Sequence, residues 1–145
     1  MRGLRRFFGD DTGASAVEFA LVVVPLLLFI FGTVEFSRLM WTRQSMQSLA
    51  IEAARCMGIL QPQCISGTTY NAANTRNYVI SRAGKLGVPL TSSDIALNNS
   101  DSCKSVSGFS TVTITYTFSS VAPRLVTALT GSTNLSASAC FPNNV

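Results

Sequence analysis

An apolar run of 23 residues, Ala14 to Phe36 (ASAVEFALVVVPLLLFIFGTVEF), constrains this chain more than any other feature. As a helix it would reach about 34 Å, enough to cross a hydrocarbon core of about 30 Å with modest tilt. A cleaved secretory signal is the first competitor, but its apolar part is normally about 7 to 15 residues long and ends in a small-x-small site. Here the run ends Gly32-Thr33-Val34-Glu35, and the nearby Ala14-x-Ala16 lies before the apolar core. A signal anchor fits better. Arg2, Arg5 and Arg6 precede the span, against Arg38 and Arg43 beyond it, which favours a cytoplasmic N-terminus.

Two glutamates bracket the span, and an acid deep in lipid costs on the order of 3 kcal/mol. Glu35 is expected near the far boundary, able to reach water. Glu18 is followed directly by Phe19-Ala20-Leu21-Val22 and so sits at the inner edge of the apolar core. It is either an interfacial residue favoured by the helix N-terminal dipole or a functional acid. Pro25, inside the span, removes one helix hydrogen bond and crowds the carbonyl of Leu21, so a kink or a locally tolerated distortion is expected there.

The residues around Glu18 carry a resemblance. Gly13-Ala14-Ser15-Ala16-Val17-Glu18-Phe19 resembles the processing site of type IV pilin-like proteins, in which a cut after glycine leaves small residues, then Glu and an aromatic. Glu-Phe followed by a long apolar run is similar to pseudopilins of the Flp (Tad) pilus system and to the TadE-like family. The resemblance implies a structural assembly protein, cleaved between Gly13 and Ala14 by an aspartyl prepilin peptidase embedded in the inner membrane. Its partners would be that peptidase, other pilins or pseudopilins and the inner-membrane platform proteins of the Tad system. The physics of the motif stands independently. Cleavage would create an α-ammonium on Ala14 at the membrane face, and a carboxylate four residues on can pair with it, in the same helix or a staggered neighbour. Phe19 accompanies Glu18 in that register.

Beyond the span, Ser37 to Leu60 lacks proline and keeps helical spacing, with Leu39, Met46, Leu49, Ala50, Ala53, Met57 and Leu60 near one face. The membrane helix is therefore expected to continue outward, and Ala14 to Leu60 would make a spine of about 70 Å. Gly58 reads as its stop, with Pro62 beyond. Trp41 suits an interfacial aromatic belt, and the methionines read as core filler.

The expected domains are a cytoplasmic leader (1–13), a transmembrane helix (14–36), a periplasmic extension of it (37–60) and a small head (61–145). Within the head, a short helix is expected over about Ala72 to Leu86, closed by Gly84 or Gly87. Ile95 to Leu97 is a weak strand signal. Thr111 to Phe118 is the strongest, alternating threonine with Val112, Ile114, Tyr116 and Phe118. A second strand at about Thr133 to Phe141 sets Leu135, Ala137, Ala139 and Phe141 on one side. Between them, Pro123 and the Leu125, Val126, Leu129 set suggest a helical turn or a docked loop. The fold class is α+β, a long N-terminal helix on a small antiparallel sheet.

Cys56, Cys64, Cys103 and Cys140 all follow the span, and an even count fits an oxidising compartment. A turn holding Gly58 and Pro62 favours Cys56 with Cys64, and Cys103 is the nearest partner for Cys140 in the expected topology; four cysteines permit three pairings. No CxxC pair occurs, so zinc is not expected. The net charge of +4, from 11 Lys+Arg and 7 Asp+Glu, is scattered rather than clustered, which argues against nucleic acid. The chain has no histidine, phosphate loop or nucleophile elbow, so neither cofactor nor catalysis is expected. The competing reading is an uncut, signal-anchored binding or adhesion module, which has no reason to keep the glycine-to-glutamate spacing.

Overall fold

A computed structural model describes residues 12–120 and 123–143. Residues 1–11, most of the expected leader, fall outside the described residues, as do 121–122 and 144–145. The chain divides into two compact units, and the division lies within the first helix, between Ser37 and Arg38. That helix, α1, runs Thr12–Gly58, 47 residues, with Pro25 inside it.

In the first unit α1 presents an apolar surface to its surroundings. Leu21, Phe29, Phe19 and Leu28 are each about 70 % exposed. Side-chain hydroxyls that would be stranded in lipid are satisfied by the helix itself: Thr33 donates to the Ile30 carbonyl and Ser37 to the Thr33 carbonyl, each at 2.8 Å. The helix from Ser15 is long and apolar enough to cross a membrane, its most apolar window having a mean hydropathy of 2.5 with no residue buried. Glu35 departs from expectation. It is 8 % exposed rather than open to water, and it is not without a partner.

In the second unit, the outer part of α1 joins strands β1 (Ile65–Ser66) and β2 (Thr69–Tyr70), helix α2 (Ala72–Lys85), a single 3-10 turn (Ser92–Asp94), strands β3 (Ile95–Cys103) and β4 (Val106–Thr117), helix α3 (Pro123–Thr130) and strand β5 (Asn134–Pro142). The main sheet is antiparallel in the order β3-β4-β5. Its register builds two apolar rows across all three strands, Ile95–Ile114–Ala137 and Leu97–Val112–Ala139. Onto these pack Met46, Leu49, Ala50, Ala53, Ala54 and Met57 of α1 with Val79 and Ala83 of α2. Each large side chain so buried stabilises the unit by about 1.5–3 kcal/mol. A second cluster joins Leu39, Phe118 and Val126, and the Arg38 guanidinium stands 5.7 Å from the Phe118 ring centre. Val126 is thus the member of the expected α3 set whose buried side chain is described; the side chains of Leu125 and Leu129 lie outside the described residues.

The strand expected over Ile95 to Leu97 extends to Cys103. Its polar half, Asn98 to Ser102, offers no apolar alternation and is held by pairing with β4 through two register irregularities. Leu60 corrects the expected buried face: it is 40 % exposed, lies past the end of α1, and has a left-handed φ of 52°. Trp41 is 61 % exposed, and its indole N–H donates to the Leu86 carbonyl at 3.3 Å, so its polar edge serves the end of α2.

The C-terminal ends of α1 and α2 are Schellman motifs. At α1 the Gln61 N–H donates to the Cys56 carbonyl (3.0 Å) and the Leu60 N–H to that of Met57 (3.4 Å). At α2 the Val88 N–H donates to the Ala83 carbonyl (3.0 Å) and the Gly87 N–H to that of Gly84 (3.2 Å). Asn71 caps the start of α2, its Oδ1 accepting from the Asn74 N–H at 3.0 Å.

Candidate functional site

The residues singled out for processing and assembly lie at the beginning of α1. Gly13 and Ala14 are in its first turn, because the helix begins at Thr12, before the glycine. Glu18 follows Ala14 by four residues, about 6 Å along the axis of an α-helix. Glu18 is exposed, as are Val17 (61 %) and Phe19 (69 %) beside it. The arrangement is an acid on an otherwise apolar, uncovered helix surface. It can serve a cation brought to it from the same helix or from another. Pro25 lies two turns further on, and the helix assignment continues through it.

The cysteines lie well away in sequence from this end. Cys56 bridges Cys64, with Cα atoms 6.0 Å apart, and Cys103 bridges Cys140, at 6.3 Å. The first bridge pins the chain reversal after α1; the second joins β3 to β5 across the intervening strand.

Two polar constellations carry no simple sequence signature. On the helices, the Tyr78 hydroxyl donates to Glu52, and Arg82 pairs with the same carboxylate at 3.1 Å. Burial, then the Glu52 hydrogen bond, pushes the Tyr78 phenol above its ordinary value. The i,i+4 placement of Tyr78 and Arg82 on α2 is the one hint the sequence offered. In the sheet, the fully buried Ser110 Oγ lies 2.8 Å from the Asn99 amide and 2.5 Å from Asn143 Oδ1. Asn143 Nδ2 donates to the Asn99 carbonyl at 2.8 Å, which fixes its Oδ1 as the acceptor of the single Ser110 proton. Asn99 Oδ1 is a second acceptor within reach of the same hydroxyl.

A cleft of about 380 Å³ opens beside this network, between Met57, Leu60, Thr69, Tyr70, Asn99 and Asn143. Among the described lining residues the titratable group is Tyr70, whose phenol is raised above its ordinary value chiefly by burial. Among the described residues no acid–base pair faces the cleft and no group of three His, Cys, Asp or Glu side chains is placed to hold a metal.

Searches of curated proteins and of solved structures found no match. A family model does match: the one described as TadE-like protein, over residues 13–55, a stretch that begins at Gly13 itself and takes in the span and all but the last residues of α1. Over this N-terminal helix the chain is similar to TadE-like proteins.

Proposed function

We propose that the chain is a minor pseudopilin that helps build a Tad (Flp-type) pilus, made as a precursor and cut after Gly13 by a prepilin peptidase. The observation that carries the reading is the four-residue spacing from Ala14 to Glu18 on an exposed apolar helix, inside the stretch that matches the TadE-like model. The role is structural. In the inner membrane, the head would lie on the periplasmic side and Pro25 would kink the span.

The chemistry follows from that geometry. The Gly13–Ala14 bond belongs to the first turn of α1, so a peptidase needs that turn opened. Glycine, a poor helix former lacking a side chain, makes the opening easy and leaves the bond uncrowded. Cleavage would leave an ammonium on Ala14 near the lipid boundary, where either charge alone is costly. Glu18 neutralises it, within one helix or across two, and the second option sets the axial register between subunits.

Glu18→Gln keeps size and polarity but removes the charge. Membrane insertion of the variant is expected to match the native chain, whereas pilus assembly, scored by electron microscopy and by subunit in sheared fractions, should fall at least severalfold. Normal assembly by Glu18→Gln would remove the pairing role.

A further inference from the structure

The two disulfides differ sharply in access. Cys56 and Cys64 are both fully buried, at 0 % exposed, whereas Cys140 is exposed and Cys103 half-buried. Cys140 stands directly opposite Thr111 on β4, so its bridge to Cys103 crosses the threonine face of the sheet at that residue.

What the bridge holds down is the tip of the β3–β4 hairpin, and that tip is built against local preference. Pairing shifts register between Asn98 and Asp101 and again between Asp101 and Ser102. The two-residue turn is Lys104-Ser105, with φ of 50° and 71°, a conformation suited to Asn-Gly and strained for side chains with a β-carbon. Beneath, Thr111 Oγ1 is shut off from solvent without a hydrogen-bond partner. The strain and the unpaired hydroxyl both favour opening. The base of the hairpin is fixed separately, by the Ser110–Asn99–Asn143 network and by the Asn143 N–H donating to the Gly108 carbonyl at 2.8 Å.

We propose that the Cys103–Cys140 bridge is a thiol-labile strap, opened selectively by a dithiol reductant, whose release frees residues 100–107 from the threonine face while Cys56–Cys64 stays closed. A reductant thiolate attacks the sulfur of Cys140, the more exposed residue of the pair, the S–S bond breaks, and Cys103 leaves as a thiolate that takes a proton from water. The reductant's second thiol then attacks the mixed disulfide and releases Cys140. Two protein thiols form for one disulfide of the reductant. Once free, Lys104 and Ser105 leave the left-handed region and Thr111 Oγ1 is hydrated.

The test uses the full chain in detergent micelles, treated with graded dithiothreitol, quenched with iodoacetamide and mapped by peptide mass. Cys103 and Cys140 should be labelled about tenfold or more faster than Cys56 and Cys64. In the half-reduced protein, amide exchange over 100–107 should accelerate by a similar factor while 112–117 is unchanged. Labelling of all four cysteines together, or selective labelling with no change in exchange, would overturn the proposal. Ser105→Gly, which suits a positive φ, should cut the gain in exchange on reduction by about fivefold. An undiminished gain would contradict the part assigned to turn strain.

Discussion

Gly58 ends α1 directly against Phe141 of β5: a β-carbon at Gly58 would stand 2.6 Å from the phenyl Cδ1 and 2.8 Å from the Pro142 carbonyl oxygen. The ring could swing aside, but the backbone carbonyl cannot without moving the end of the strand. Gly58→Ala should therefore destabilise the head by about 1–3 kcal/mol despite alanine's better helix propensity, read as a lowered denaturation midpoint of the full chain in detergent.

The two Schellman motifs predict opposite effects. Leu60 occupies at α1 the left-handed position that Gly87, with φ 76°, occupies at α2. Leu60→Gly relieves a conformation leucine tolerates poorly and should stabilise by about 0.5–1 kcal/mol, whereas Gly87→Ala should cost about 1 kcal/mol. Thermal melts of the two variants beside the native chain would check both signs.

These ends show what the sequence could and could not convey. The spacing of Leu39, Met46, Leu49, Ala50, Ala53 and Met57 marked the buried face of α1, and the threonine alternation marked β4, because each pattern reports one-sided burial. Gly58 marked the right end of the helix for the wrong reason. It reads as a left-handed cap, yet its use is steric, and the cap falls on Leu60, which the same pattern had placed in the core. β3 beyond Leu97 was invisible because its polar residues gain their strand geometry from β4, a non-local effect. At the candidate site, Glu18 stood out because an acid on an apolar run is conspicuous, whereas Gly13 and Ala14 stood out only through the resemblance to a pilin-like processing site. The Ser110–Asn99–Asn143 network was not, since ordinary polar residues 33 and 11 positions apart signal nothing until the sheet brings them together.

Glu52 is the shared acceptor between α1 and α2, serving Tyr78 and Arg82, both partly open to solvent. Glu52→Ala should cost about 1 kcal/mol, little of it from the half-exposed ion pair. The Tyr78 pKa is raised in the fold, so the stability linked to its neutral phenol is complete below the ordinary value near 10 and is lost as pH climbs through the raised one. Tyr78→Phe should flatten that alkaline limb in a pH series of urea midpoints.

Asp94 behaves in the opposite sense. Its carboxylate accepts from the Thr91 hydroxyl at 2.6 Å and the Thr91 N–H at 2.7 Å, which holds its pKa below the usual 3.8. The contribution is present above that ordinary value and disappears as pH falls through the lowered one. Asp94→Ala should cost about 0.5–1 kcal/mol at neutral pH, and the difference from the native chain should shrink in strong acid.

The proposed cut after Gly13 separates a processed assembly element from a plain anchor. Intact mass spectrometry of the chain from isogenic cells with and without the prepilin peptidase tests it most directly. A mature N-terminus at Ala14 is expected only when the peptidase is present; a chain retaining Met1 to Gly13 in both strains would overturn the proposed processing.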